Sequence, residues 1–202
     1  RISVEVPDHL ANISNGRLIG VERNRNKSTK TYHWEVKNPI NNYGVNVNIG
    51  DYVNWKEVYN GEKGDLDITY WALKDDEEKA GKQFTEVPRM LDAFEHWFGP
   101  YPFYEDGYQL VQAPYLGMEH QSSVTYGNRF QNGYLGRDLS NTGWGLKFDF
   151  IIVHESGHEW FANNITHKDA ADMWIHESFT NYSESLFLDY HFGKAAGQEY
   201  VR

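Results

Sequence analysis

The sequence predicts an α+β fold with a β first half and a helix-dominated second half, and three observations carry that prediction. Apolar residues alternate with polar ones from Arg1 to about Leu73. Beyond Val87 they recur every three or four residues. A charged stretch, Asp75-Asp76-Glu77-Glu78-Lys79, separates the two regimes. Residues 1–75 therefore read as part of an antiparallel β domain, and 76–202 as a second, α+β domain.

In chain order, Ile2, Val4 and Val6 alternate as in a half-buried strand, as do Val45, Val47 and Ile49, and then Leu66, Ile68 and Tyr70. Turn-forming pairs lie between them: Asn15-Gly16, Asn38-Pro39, Asn41-Asn42 and Asn60-Gly61. The charged stretch can open a helix or solvate a linker. Val87, Met90, Leu91, Phe94 and Trp97 predict an amphipathic helix, with Pro88 in its first turn and Gly99-Pro100 as its stop. Tyr108–Gln112 and Val124–Tyr126 read as strands. Two further helices are expected over about 147–163 and 172–192, with Gly193 ending the second.

Composition narrows the function. The chain has 202 residues, 40% apolar and 16% aromatic, enough for a sizeable core. A net charge of -10 without a Lys/Arg cluster argues against nucleic acid as a partner. No apolar run reaches the roughly 20 residues of a membrane span. The chain has no cysteine, so a metal would have to be held by His, Asp or Glu. Together with the acidic, Asn- and aromatic-rich composition, this points toward a bacterial source, with export and cytoplasm both open. Arg1 enters a strand pattern directly, which reads as a piece of a longer protein.

The informative residues are His154-Glu155-Ser156-Gly157-His158. On a helix, residues four apart share a face, so both imidazoles can address one ion. Glu155 lies about 60° around the axis from His158 and can reach a water without becoming a ligand. A random chain of this composition shows H-E-x-x-H roughly 3 times in 100. The apolar run Phe148, Phe150, Ile151, Ile152 and Val153 makes a solvated surface helix a poor alternative, because burying His and Glu unpartnered is costly. Catalytic zinc needs three protein ligands and an open position. The returning helix supplies Glu177, with eighteen residues between it and His158.

This pattern resembles the M1 family of zinc aminopeptidases, which are gluzincins. Trp174-Ile175-His176-Glu177-Ser178-Phe179-Thr180-Asn181-Tyr182-Ser183-Glu184 is similar to the family's W-x-N-E-G-F-x-x-Y-x-E, apart from His176 and Ser178. Trp160-Phe161-x-Asn163 resembles W-x-G-N, and Phe98-Gly99-Pro100-Tyr101-Pro102-Phe103 resembles F-G-x-P-Y-P. Leu116-Gly117-Met118-Glu119-His120 is similar to the family's G-x-M-E-N strand, with His120 in place of Asn. The resemblance implies that Gly117, Met118 and Glu119 bind the substrate, with Glu119 holding its free α-amino group. It further implies one Zn²⁺ on His154, His158 and Glu177, and Glu155 as general base.

For the fold, the resemblance implies that 1–75 ends an N-terminal β domain and that 76–202 begins a thermolysin-like catalytic domain. The family's transition-state tyrosine is assigned to none of Tyr182, Tyr190 and Tyr200. It is expected further along the chain, so the remainder of the same polypeptide is an expected partner and the piece alone is expected to be inactive. Glu184, seven residues after Glu177, either orients a zinc-ligating His or is a solvated carboxylate. His9, His33, His96, His167 and His191 read as surface or packing residues, and His176 points away from the ligand face. Peptides with a free amino terminus are the implied substrates. The alternatives are an endopeptidase or epoxide hydrolase of the same fold, and a non-catalytic module that keeps it.

Overall fold

The computed structural model describes residues 1–201. Among them, the first half is mostly strand, with one 3-10 turn at Asn42–Gly44: β1 (Ile2–Pro7), β2 (Ala11–Ile13), β3 (Arg17–Asn24), β4 (Thr29–Glu35), β5 (Asn48–Gly50), β6 (Tyr52–Gly61) and β7 (Gly64–Leu73). The second half holds α1 (Glu77–Gln83), α2 (Glu86–Phe98), β8 (Tyr108–Gln112), β9 (Gly117–Met118), β10 (Val124–Tyr126), α3 (Phe150–Gly157), α4 (Trp174–Phe192) and α5 (Lys194–Tyr200). The α+β expectation stands. No helix among the described residues is long and apolar enough to cross a membrane.

Three sheets organise the strands. One has the order β1-β4-β3, β2 pairs β5, and a five-stranded sheet runs β6-β7-β8-β10-β9. Every pairing within the first half is antiparallel, but β7–β8 and β8–β10 are parallel. The five-stranded sheet therefore draws strands from both sides of residue 75, where the sequence changes period without a break in the ladder. Its inner face, with Leu66, Ile68, Tyr108 and Leu110, packs on α2 and α3 through Leu91, Phe94, Ile151 and Ile152 in the main core. The charged stretch opens a helix: α1 begins inside it at Glu77, and Gly99 (φ +80°) ends α2 as expected.

Two local expectations are corrected. Val45, Val47 and Ile49 alternate, but they face outward at 40%, 49% and 49% exposure, while Gly44, Asn46 and Asn48 face inward. Long-range hydrogen bonds accompany this register. Asn46 N donates to Asn15 Oδ1 (2.9 Å), Asn46 Nδ2 to the Ser123 carbonyl (3.1 Å) and Asn12 Nδ2 to the Asn48 carbonyl (3.1 Å). The helix expected over 147–163 is also broken. α3 ends at Gly157, and residues 159–164 form a wider turn with non-helical Phe161 and Ala162.

Candidate active site

α3 starts where Asp149 caps it. The buried carboxylate accepts from Ile151 N (3.0 Å) and Ile152 N (3.2 Å), and also from Tyr126 Oη, Asn128 Nδ2 and Gln83 Nε2. This five-donor anchor ties the helix start to β10 and α1. It is an acid immediately before an apolar run, a cap signature that sequence reading could have used. Gly157 lets α3 and α4 come close, since a Cβ there would lie 2.9 Å from Ser183 Oγ and 3.1 Å from Thr180 Cγ2. Motif and returning helix thereby meet face to face.

His154, His158 and Glu177 come together at that contact. Glu177 Oε2 lies 3.3 Å from His154 Nε2, and Oε1 lies 3.4 Å from His158 Nε2. The far side of each ring is engaged. His154 Nδ1 donates to Glu184 Oε1 (2.8 Å), and Tyr200 Oη donates to Glu184 Oε2 (2.6 Å). His158 Nδ1 lies 3.0 Å from the Phe161 carbonyl, which can only accept, so the proton sits on Nδ1 and the Nε2 lone pair points into the site. His158 Nε2 is buried and has no hydrogen-bond partner.

These donors fit a zinc ion. Ligands about 2.0–2.1 Å from a tetrahedral zinc stand roughly 3.3–3.4 Å apart, which is the spacing of both His–Glu177 pairs. The electrostatics also call for a cation. Burial disfavours a charged His154, yet bonding to Glu177 and Glu184 outweighs it and pushes the imidazole up to about 10. The two histidines in turn hold Glu177 far below the usual carboxylate range.

Glu155 lies beside His158 on the helix, 9% exposed, and burial pushes its carboxyl up to about 7, with Glu119 and Glu177 contributing. Gly117 on β9 is its close neighbour. A Cβ at 117 would fall 2.7 Å from Glu155 Oε1, so the strand can pass the carboxylate only without a side chain at that point. Met118 pairs with Thr125 in the ladder and its carbonyl accepts from Thr125 Oγ1 (3.2 Å). Glu119, Glu155 and His158 each place a polar atom within 4.8 Å of the others. The strand and the motif are thus parts of one cleft.

The structure decides between the two readings of Glu184 and adds contacts that sequence reading did not offer. Glu184 is 4% exposed and bonded to His154, not solvated. His176 and His167 are joined, Nε2 to Nδ1 at 3.0 Å, and the His167 N–H also donates to His176 Nε2 (3.2 Å), which ties the α3–α4 connection to the first turn of α4. Asn163 Nδ2 donates to the Glu119 carbonyl (2.8 Å) and to Glu159 Oε1 (3.1 Å). None of these contacts follows a local period, and only the packed chain brings them together.

The broken end of α3 aims the Phe161 carbonyl at His158. Its cost falls on Ala162, fully buried at φ +147° and ψ −53°, a conformation that only glycine adopts without strain. Ala162 stands where the family pattern W-x-G-N has its glycine. Replacing Ala162 by Gly is expected to raise stability by about 1–2 kcal/mol, read from denaturant melts, because the strain relieved exceeds the loss of one buried methyl group and the added chain entropy of glycine. An unchanged or lower midpoint would show that the turn is relaxed with alanine.

Glu159 supplies a pH signature. It is fully buried and accepts from Tyr101 Oη (2.8 Å), Ser122 N (3.0 Å) and Asn163 Nδ2 (3.1 Å). Burial outweighs these bonds and pushes the carboxyl from 4.5 up to about 8. The folded chain then keeps a proton that the unfolded chain releases, so this stability is fully present below pH 4.5 and is lost as pH rises through 8. Melts over that window should show stability falling with pH, and Glu159→Gln should reduce the slope by up to about 1.4 kcal/mol per pH unit. An identical slope in the variant would place the titration elsewhere.

Comparison with known proteins agrees with this geometry. The profile of the peptidase family M1 domain matches residues 83–202. Endoplasmic reticulum aminopeptidase 1 of Mus musculus is 26% identical over 200 residues, covering 93% of this chain but 21% of that protein. Aminopeptidase N of Lactobacillus helveticus is 34% identical over 97 residues, 43% of this chain and 11% of its own length. A solved M1 zinc metallopeptidase from Deinococcus radiodurans superposes with a TM-score of 0.76 at 21% identity, covering 93% of this chain and 39% of that one. The chain thus spans about a fifth of the curated relatives it matches most fully. A cleft built from an H-E-x-x-H helix, a returning glutamate and a facing G-M-E strand, joined to this match, places the chain in peptidase family M1.

Proposed function

We propose that this chain carries the metal centre and the amino-terminus anchor of a zinc aminopeptidase. The observation that supports the reading best is the convergence of two imidazole Nε2 lone pairs and the Glu177 carboxylate on one point, with Glu119 and Glu155 beside it. His154, His158 and Glu177 would hold one Zn²⁺, which when bound acidifies a water and polarises a carbonyl. Glu184 and the Phe161 carbonyl fix the two ring orientations.

Glu155 takes the proton of the attacking water and later delivers it to the departing amine. A carboxyl poised near 7 suits both directions of transfer. Glu119 pairs with the substrate ammonium and thereby sets the first peptide bond over the ligand cluster. Gly117 and Met118, on the edge strand β9, border the bound backbone. A structurally similar M1 zinc metallopeptidase from Deinococcus radiodurans has been crystallised with a Tyr-Ser-Ala substrate, in keeping with a peptide substrate here.

Metal content tests the centre directly. The full-length protein should carry one zinc per chain by elemental analysis, and His158→Ala should lose it while the chain still folds. Full zinc occupancy in that variant would place the ion elsewhere.

A further inference from the structure

The chain turns back on α4 at its end. Gly193, at φ +92°, closes α4 and opens α5, which runs against the helix that carries Glu177 and Glu184. The two helices meet at Gly197, where a Cβ would lie 2.6 Å from the Ser185 carbonyl oxygen, so a side chain there would force them apart. Trp144 Nε1 fastens α5 from another side by donating to Glu199 Oε2 (2.8 Å). The last residue of α5 is Tyr200. Its ring meets the fully buried Phe148 edge to face, with centroids 5.8 Å apart, and Phe148 in turn packs on Phe187 of α4 at 5.4 Å.

That packing aims the Tyr200 hydroxyl at Glu184. A carboxylate only accepts, so the phenol donates to Oε2 (2.6 Å), while Oε1 takes the proton of His154 Nδ1 (2.8 Å). Each oxygen of this side chain, which is 4% exposed, thus has a partner of its own. The line Tyr200–Glu184–His154 ends at an imidazole whose Nε2 lies 3.3 Å from Glu177 Oε2. Tyr200 is on the Nδ1 side of that ring, away from the nitrogen that faces Glu177, and acts on the ligand cluster from behind.

An imidazole keeps one orientation only if the partner of its second nitrogen is itself held. Glu184 has a long, flexible side chain, and a single bond to His154 would leave its carboxylate free to turn. The bond from a neighbouring helix removes that freedom and leaves no buried oxygen unpaired. We propose that Tyr200 is a positioning residue for the metal centre, which through Glu184 fixes His154 in the orientation where Nε2 addresses the ion. The proposal rests on the zinc reading and deepens it, since it gives α5 a part in metal binding.

The test measures the zinc dissociation constant of the full-length protein by competition with a chelator, for wild type, Tyr200→Phe, Glu184→Ala and the double variant. Tyr200→Phe keeps the ring on Phe148 and removes only the hydroxyl. It should bind zinc about tenfold more weakly, as is usual when the support of a metal ligand is lost. In the Glu184→Ala background the same change should have no further effect, because the hydroxyl acts only through that carboxylate. Unchanged zinc affinity in Tyr200→Phe overturns the proposal, and a lower thermal midpoint beside it would show that the bond serves the fold alone. An equal loss in both backgrounds overturns it as well. If wild-type protein binds no zinc, the metal reading fails, and the imidazole N–H of His154 still decides on Tyr200. Followed by NMR in full-length protein with isotope-labelled histidine, that proton should exchange with water faster in Tyr200→Phe than in wild type. An equal rate rejects the line from Tyr200 to His154.

Discussion

Glu155→Gln is expected to cut kcat by about 10³-fold or more while one zinc per chain remains bound. Glu155 is not among the three groups that converge on the ligand point, so its loss leaves their geometry intact. Gln has nearly the same shape and fits the space left by Gly117, against which the Glu155 carboxylate already packs. What disappears is a group able to take and return a proton, and the nearby Glu119 is assigned to the substrate ammonium. Elemental analysis and steady-state kinetics on the full-length variant check both halves of the statement. Near-normal turnover would show that another group moves the proton.

The second large effect concerns Glu119. Replacing it by Gln should lower kcat/KM on substrates with a free amino terminus by about 10²–10³-fold, a loss of roughly 3–4 kcal/mol of transition-state binding. Zinc content should not change, because Glu119 lies outside the His154–His158–Glu177 group. Its backbone is fixed independently of its charge by the Asn163 amide on the Glu119 carbonyl, so the variant removes the carboxylate without releasing the strand. A loss confined to KM, with kcat intact, would mean that the ammonium contact is uniform binding and does not position the bond. Unchanged kinetics would remove Glu119 from the substrate site altogether.

How far the sequence could be read depended on whether a feature was local. The convergence of His154, His158 and Glu177 was legible because two periodic helices with a short return leave few ways to arrange them. Gly157 made the close crossing possible, and it stands inside the motif. The end of α3 was not legible. Its break at Phe161 and Ala162 accompanies the long-range contacts of Asn163 and Glu159 with Glu119, Tyr101 and Ser122, which no helical period records. The same holds for Val45, Val47 and Ile49. Their alternation is a sound strand signal, yet the segment is held by long-range bonds that no period records, from Asn46 Nδ2 to the Ser123 carbonyl and from Asn12 Nδ2 to the Asn48 carbonyl. Glu184 was open between two readings because its partner His154 lies thirty residues away in sequence. The change of period at residue 75 was legible, but the parallel pairing of β7 with β8 across it was not, since β-strand patterning reports which face is buried and not which neighbour is paired.

One measurement bears most directly on the central claim that this cleft joins a metal centre to an amino-terminus anchor. Hydrolysis of an aminoacyl anilide and of its N-acetylated twin is compared on the full-length protein, each with and without a zinc chelator. The account predicts cleavage of the free amine alone, abolished by the chelator and restored by zinc. Equal cleavage of both anilides would keep the metal and contradict the anchor, making the protein an endopeptidase. Zinc-replete protein that cleaves neither would contradict the catalytic reading itself and leave a binding module with the family's fold.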